Sequence, residues 1–214
     1  MRVTIGVDYG IRTTQSPAGQ PPPPPAARER RDRSRPGRDL VRSRLRDLTR
    51  PERRLWTPRQ LLDLSSTVVA ELAVPLGEIT RFVPEQRWWE RLGLTDGVEV
   101  WLLSWLPGQG TRPHDHSGAC GAFTVLIGEL TEDYRYPGSP SLTALRKAGE
   151  SVGFSPNRAH LVRNLAARSA VSVHAYSPPL QGVREYDSLA DSLAHVTRRV
   201  PHPARRRSPA RSAR

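Results

Sequence analysis

The chain has 214 residues, a formal net charge of +12 at pH 7, 21 prolines and a single cysteine. This length accommodates one ordinary domain with extensions rather than several domains. A single cysteine excludes an internal disulfide, and no apolar run approaches the roughly 20 residues of a membrane span. The composition therefore predicts a soluble, cytoplasmic protein with no membrane partner.

The basic charge is concentrated at the two ends of the chain. Residues 28–54 contain 12 arginines and 5 acidic residues, and the segment after Asp191 contains 7 arginines and no acidic residue. The stretch 55–191 carries 12 basic and 15 acidic residues. Because this central stretch is slightly acidic, we expect no specific nucleic-acid partner. A weak electrostatic tether to nucleic acid or anionic lipid is the alternative role for the ends.

Composition also suggests the domain boundaries. Residues 1–54 include "PPPPPAARERRDRSRPGRD", which offers little to bury, so this segment is expected to be a disordered extension. Residues 55–191 are predicted to form the folded domain. Residues 192–214 are expected to hold the end of a last helix, which begins in "SLADSLAHVTRR", and then a basic disordered tail.

The domain is predicted to begin with helices. In "TPRQLLDLSSTVVAELA", Thr57 is a suitable N-cap and Pro58 a suitable first helical residue. Five apolar residues share one face of this helix: Leu61, Leu62, Val68, Val69 and Leu72. A second, shorter helix is predicted over 84–93, "PEQRWWERLG".

From Val98 onward the pattern favours strands. The segments are short, rich in apolar and β-branched residues, and separated by Pro, Gly, Asn and Ser; they include "VEVWLLSW", "GAFTVLIGELTEDYRY", "AHLVRNLA" and "AVSVHAYSPP". Short strands at intervals of about ten residues predict a small antiparallel β-barrel or jelly roll. The fold class is therefore mainly β with an N-terminal helical layer.

Histidines give the first chemical signal. His114 and His116 lie two apart in "TRPHDHSGACGAF", so on a strand they face the same side while Asp115 faces away. Two imidazoles at this spacing can share a metal ion. His160, in "PNRAHLVRN", begins another strand that a barrel could return to the same place.

A second polar row follows in "VSVHAYSPP". Ser172, His174 and Tyr176 alternate with Val173 and Ala175, so the three polar side chains share one face. Inward polar groups cost about 1–3 kcal/mol each unless they are hydrogen-bonded. The row is therefore either part of a site or a hydrogen-bonded piece of the core.

The spacing "GQGTRPHDHSGACGAFTVLIG" resembles the first cupin motif, G-x5-H-x-H-x(3,4)-E-x6-G. Gly108, His114, His116 and Gly128 fall in register, whereas the glutamate position falls on Gly121.

"HLVRN" resembles the close of the second cupin motif, with His160 and Asn164 in place and Arg158 where the motif usually has Gly. With three histidines, no glutamate and "SVHAYSPP", the stretch of about 55–186 resembles the thiol dioxygenases, most closely bacterial cysteine dioxygenase.

This resemblance implies a cupin fold in which His114, His116 and His160 bind one Fe(II). Dioxygen would be the co-substrate, and L-cysteine would be converted to cysteine sulfinate. The spacing itself does not choose the metal, because three histidines also hold catalytic zinc. A dioxygenase for 3-mercaptopropionate or another thiol, and a non-catalytic metal-binding cupin, remain alternatives. A monomer is expected.

The resemblance also implies roles for other residues. Ser172, His174 and Tyr176 match the family's relay, in which the tyrosine lies near the oxygen and the substrate carboxylate and the histidine orients its hydroxyl. By register, Arg91 matches the arginine that binds the carboxylate, and Arg87 is the alternative.

Mammalian members carry a cysteine that forms a thioether with the active-site tyrosine, and Gly121 occupies that position here. Cys120 lies one residue earlier and should face the other way on a strand, so no such crosslink is expected.

Overall fold

The computed structural model describes residues 36–193, which contain two α-helices and ten β-strands. The helices are α1 (Pro36–Leu48) and α2 (Pro58–Ile79). In chain order the strands are β1 (Trp89–Leu94), β2 (Glu99–Trp105), β3 (His114–Asp115), β4 (Cys120–Ile127), β5 (Glu129–Arg135), β6 (Leu142–Lys147), β7 (Ser151–Phe154), β8 (Ala159–Arg163), β9 (Ala170–Ser177) and β10 (Arg184–Glu185). A short 3-10 helix, Asp191–Leu193, follows β10.

Helix α2 begins where the sequence predicts. Thr57 caps it through a reciprocal capping box with Gln60, and Pro58 occupies the first turn. The helix continues past the predicted end to Ile79, although Pro75 lies inside it. The backbone leaves helical geometry at Leu72, one turn before the proline, and this distortion relieves the clash that a proline ring makes with the preceding turn.

Helix α1 lies within the segment that was expected to be disordered, so that expectation is wrong for residues 36–48. Val41 and Leu45 are buried and Leu48 packs against the same core, which gives an apolar stripe at helical spacing within an arginine-rich segment. An ion pair from Arg44 to Glu71, at 2.6 Å, also joins α1 to α2. The helical layer thus begins before Leu55. The tails predicted in 1–35 and 194–214 lie outside the described residues.

The ten strands form two five-stranded antiparallel sheets, in the orders β1-β2-β9-β4-β7 and β10-β3-β8-β5-β6. Their facing sides share one core, to which Trp105 and Phe123 contribute from the first sheet and Leu130 and Val162 from the second. This architecture confirms the predicted small antiparallel barrel of the cupin type with an N-terminal helical layer.

The helical layer covers the outer face of the first sheet. Along β9, the side chains of Val171, Val173 and Ala175 pack in the same cluster as the buried face of α2. The alternate residues of β9 therefore point into the barrel; after Ala170 these are Ser172, His174 and Tyr176, all polar or aromatic. The strand period thus places Ser172, His174 and Tyr176 inside the barrel.

The predicted helix over 84–93 is wrong. Residues 84–88 are irregular, and β1 starts at Trp89 and pairs antiparallel with β2. A segment with adjacent tryptophans suits either structure, and packing decides: the rings of Trp89 and Trp101 meet edge to face with centroids 5.4 Å apart. The correction matters because side-chain directions in a strand differ from those in a helix.

At the C-terminal end of the described range, Asp191–Leu193 forms the 3-10 helix inside the predicted last helix, and the rest of that prediction lies outside the described residues. Between residues 36 and 193, no helix has the length and apolar character needed to cross a membrane.

Candidate metal centre and active-site cavity

Three histidines converge inside the barrel. Strands β3 and β8 are neighbours, and their register sets His114 directly opposite His160. His116 follows two residues after His114, and its ring lies 5.1 Å from each of the other two rings. One ring nitrogen from each histidine lies within 4.8 Å of the others. The predicted trio is therefore assembled in space.

The hydrogen bonds of these rings leave nitrogens free for a metal. His114 Nδ1 lies 2.8 Å from the carbonyl oxygen of Arg112, and because a carbonyl only accepts, Nδ1 carries the hydrogen and Nε2 keeps its lone pair. His160 Nδ1 is bonded to Glu132 at 2.9 Å. His116 Nε2 is buried with no hydrogen-bond partner. A buried polar atom without a protein partner needs an explanation, and a metal bound by the three rings would supply one for His116.

Electrostatics keep two of these rings neutral. Burial, with the nearby His160, lowers the pKa of His114 to about 3. The same causes hold the pKa of His116 well below its ordinary value. Metal binding requires unprotonated imidazole, so both rings are ready to bind a metal at neutral pH without losing a proton.

The donor set fits a catalytic metal ion. Three imidazole ligands leave coordination positions open for substrate, which is typical of catalytic rather than structural centres. Among the described residues, this is the group of histidine, cysteine and acidic side chains whose ligand atoms meet closely enough to hold an ion. The donors alone suit both iron and zinc.

Ser172, His174 and Tyr176 form a hydrogen-bonded row beside the three histidines. Ser172 Oγ lies 2.9 Å from His174 Nε2, and His174 Nδ1 lies 3.1 Å from the hydroxyl of Tyr176. Trp105 extends the row, because its indole nitrogen donates to Ser172 Oγ at 2.9 Å. Burial lowers the pKa of His174 and raises that of Tyr176, so both are neutral at pH 7. The three polar residues that the sequence predicts on one face thus form a continuous row of hydrogen bonds.

The structure places Arg87, and not Arg91, in the cavity. The Nε and Nη1 atoms of Arg87 are buried without hydrogen-bond partners, and its guanidinium lies 4.6 Å from the ring centroid of Trp105. Burial lowers the pKa of Arg87 to about 10, which still leaves it cationic at neutral pH. Arg91 is exposed on β1, with its guanidinium over Trp101 at 5.5 Å.

The cavity combines these polar groups with an apolar wall. Arg87, the three histidines, His174 and Tyr176 all line it. The large apolar side chains around them are Trp89, Trp101, Leu103, Trp105, Val162, Leu180 and Val183. A mostly apolar pocket with a few convergent polar groups is the usual form of a small-molecule site.

Gly121 lies beside this site, where a side chain would not fit. A Cβ atom there would overlap the Phe154 ring and would lie 3.0 Å from the Tyr176 ring. Cys120 packs instead with the cluster on the helical side of the first sheet, and burial raises the pKa of its thiol. The cysteine therefore faces away from Tyr176, as its strand position predicts.

Two residues in this region were not anticipated from the sequence. The sequence pattern predicts only that Trp105 lies in a strand, and it gives Glu132 no role. Burial acts to raise the pKa of Glu132, but the hydrogen bond with His160 and the charges of Arg158 and Arg146 outweigh it and lower the pKa to about 2. The signal was present in "GELTEDYRY", where alternation puts Leu130, Glu132 and Tyr134 on one face.

Comparison with known proteins adds independent information. A family model for cysteine dioxygenase type I matches residues 73–189. Cysteine dioxygenase type 1 of Danio rerio is 31% identical over 97 residues, which cover 40% of this chain and 48% of that protein. The chain thus matches about half the length of this curated relative.

Two solved structures are also similar. One, from Thermus thermophilus, is 25% identical with a TM-score of 0.42, over 48% of this chain and 93% of that one. The other is a conserved protein with a double-stranded β-helix domain from Klebsiella pneumoniae, 20% identical with a TM-score of 0.45, over 53% of this chain and 95% of that one.

Proposed function

Because the chain belongs to the cysteine dioxygenase type I family, we propose that it is an iron-dependent thiol dioxygenase that converts L-cysteine to cysteine sulfinate. One observation carries the proposal: three histidines and the unpaired guanidinium of Arg87 line the same cavity. A metal site takes a thiolate, and a guanidinium takes a carboxylate. A small molecule that carries both groups satisfies both ends of the cavity.

The reaction adds both atoms of one dioxygen to one thiol sulfur, R–SH + O2 → R–SO2H. Sulfur loses four electrons and dioxygen gains four, so the balance needs no external reductant. Fe(II) held by His114, His116 and His160 would supply the redox chemistry and the binding position for the thiolate.

Arg87 binds and orients the substrate in this proposal. Its Nε and Nη1 atoms are buried without partners, and a substrate carboxylate would accept hydrogen bonds from them. The ring of Trp105 lies against the guanidinium and restricts its movement. The role expected of Arg91 is therefore assigned to Arg87.

The row of polar residues directs one hydrogen toward the substrate. Trp105 can only donate, so it occupies one acceptor site of Ser172 and leaves the serine hydroxyl free to donate to His174 Nε2. Neutral His174 then carries its single hydrogen on Nδ1 and donates it to the oxygen of Tyr176. The Tyr176 hydroxyl is left to donate its own hydrogen into the cavity, toward the substrate carboxylate or dioxygen.

The apolar wall excludes water from the reacting thiol. Trp89, Trp101 and Leu180 contribute large apolar surfaces to this wall. A dry site strengthens the interaction of Arg87 with a carboxylate, because the charge is poorly screened. We also propose that the protein is cytoplasmic and monomeric, and that it binds this small thiol and no nucleic acid.

The test is oxygen consumption by the full chain after loading with Fe(II) and, separately, with Zn(II). We expect oxygen uptake with L-cysteine, one sulfinate formed per dioxygen consumed, only in the iron-loaded protein. 3-Mercaptopropionate keeps the thiol and the carboxylate but lacks the amine, so turning over this thiol in preference to cysteine would reassign the substrate. Tight metal binding without oxygen uptake on any thiol would instead identify a non-catalytic metal-binding cupin.

A further inference from the structure

Glu132 is a buried carboxylate that the proposed reaction does not use. It lies on β5 and is fully inaccessible to solvent. Its Oε1 atom lies 2.9 Å from His160 Nδ1 and 2.7 Å from Arg158 Nη2, and its Oε2 atom lies 3.2 Å from Arg146 Nη2. A buried carboxylate is costly unless it is paired, so this arrangement needs a reason.

Arg158 is ion-paired with this carboxylate. It is itself buried, and its guanidinium lies 3.7 Å from the ring centroid of Tyr134, which holds the cation against β5. Arg158 and His160 share the same oxygen of Glu132. Because a carboxylate oxygen accepts hydrogen bonds, the hydrogen between His160 and Glu132 belongs to His160 Nδ1. The imidazole therefore donates from Nδ1 and keeps the lone pair on Nε2.

Two of the three histidines, His114 and His160, differ in the hydrogen-bond partner of the ring nitrogen Nδ1. His114 donates to a neutral backbone carbonyl, whereas His160 faces a carboxylate. A carboxylate raises the basicity of the imidazole it accepts from, and it also restricts rotation of the ring. His160 should therefore be the stronger donor of these two ligands.

We propose that Glu132, held in place by Arg158, is a positioning residue that fixes the tautomer and orientation of His160 and strengthens the metal site. This inference rests on the three-histidine metal site of the proposed function. It does not depend on which thiol is oxidised, because Glu132 does not itself line the substrate cavity and contacts the site only through His160.

The test compares Glu132→Gln with the matched control Asp133→Asn. Asp133 is the next residue of the same strand and is also ion-paired, but its partner is Arg163 and its neighbour is Thr143. We expect Glu132→Gln to weaken Zn(II) binding by about 10- to 100-fold and Asp133→Asn to leave it within about threefold of the wild type. Equal zinc dissociation constants for the two variants would overturn the proposal.

Glu132→Gln leaves the buried Arg158 and the half-buried Arg146 without their anion, so it can fail to fold. The double variant Glu132→Gln/Arg158→Gln removes one charge of each sign and keeps the site balanced; it should show the same loss of zinc affinity. A folded double variant with wild-type affinity would also contradict the proposal.

Nitrogen-15 NMR of histidine in the wild-type zinc complex gives a readout that needs no variant. We expect His160 to be protonated at Nδ1 and bound to zinc through Nε2, with the Nδ1 proton shifted strongly downfield by the carboxylate. Zinc bound through Nδ1 would refute the assignment. Failure of the wild type to bind zinc would remove the metal site and this inference with it, whereas zinc binding without thiol oxidation would leave the inference intact and end only the proposed function.

Discussion

The guanidinium of Arg87 lies against the indole ring of Trp105, with its carbon 4.6 Å from the ring centroid, while two of its nitrogens have no hydrogen-bond partner. Trp105 in turn donates to Ser172, so one tryptophan contacts both the cation and the polar row. The guanidinium of Arg87 and the polar row are thereby fixed relative to each other by a single rigid side chain.

The first prediction concerns the two arginines. Arg87→Gln should raise the KM for cysteine by about 10- to 100-fold, because the substrate carboxylate loses a charge-assisted hydrogen bond. Arg91→Gln should leave KM within about twofold, because Arg91 is exposed and outside the cavity. Steady-state oxygen uptake over a range of cysteine concentrations measures both values. A larger effect from Arg91→Gln than from Arg87→Gln would restore the assignment made from sequence register.

Tyr176 provides the second prediction. Removing its hydroxyl in Tyr176→Phe should lower kcat by about 100-fold, a typical contribution of a positioned proton donor, without changing metal affinity. Tyr136→Phe is the control, because Tyr136 does not line the cavity. Single-turnover rates and metal content of the purified variants distinguish loss of the hydroxyl from loss of the metal. Full activity of Tyr176→Phe would exclude a role for the polar row in the reaction.

Much of this site can be predicted from sequence because side chains two residues apart on a strand point to the same face. This alternation correctly put His114 with His116, and Ser172 with His174 and Tyr176. It also put Cys120 on the face opposite Gly121. In each case the alternating pattern is local, so no knowledge of distant contacts was needed.

Two predictions are wrong, the helix over 84–93 and the disorder of residues 36–48, and both fail because the deciding contacts are not local. The segment around Trp88 and Trp89 carries no decisive period, and pairing with β2 makes it a strand, which also decides which arginine enters the cavity. Helix α1 was hidden because arginines dominate its composition, while its stability comes from packing on α2. Both depend on contacts far apart in the chain, which local patterns do not contain.

The third prediction tests the crowding at Gly121. Gly121→Ala should lower the free energy of unfolding by about 1–3 kcal/mol, because the new methyl group must displace the ring of Phe154. Phe154 stacks on His116 with centroids 5.2 Å apart, so metal affinity should fall as well. Gly77→Ala is the matched control: nothing lies within 4 Å of its added Cβ, and it sits on an exposed helical face. Urea unfolding of both variants measures the difference.

Equal stability of Gly121→Ala and the wild type would show that Phe154 moves freely and that the site is less tightly packed than its geometry indicates.

The packing of Cys120 also predicts that no thioether forms with Tyr176. Because Cys120 faces the helical side, turnover should leave a single species of unchanged mass and gel mobility. A second, more compact band after turnover would indicate a thioether.

The fourth prediction concerns pH and the metal-free protein. Burial holds the pKa values of His116 and His174 well below their ordinary value, and it lowers that of His114 to about 3. The folded state therefore binds fewer protons than the unfolded state below about pH 6.5, where unfolded histidines titrate. Stability is fully present above that pH and falls as the pH decreases toward about 3.

Each such histidine contributes a slope of about 1.4 kcal/mol per pH unit once the unfolded state is protonated. Urea unfolding of the metal-free protein at about pH 7.5, 6 and 5 should show a progressive loss of stability. A free energy of unfolding that does not change over this interval would mean that these histidines are solvated and not buried as the structure has them.

The central claim is tested most directly with oxygen-18-labelled dioxygen and the iron-loaded protein, with L-cysteine as substrate. Mass spectrometry of the product should show cysteine sulfinate in which both oxygen atoms carry the label, because both come from one dioxygen and none from water. Sulfinate with only one labelled oxygen, or cystine formed in place of sulfinate, would contradict the proposed dioxygenase activity.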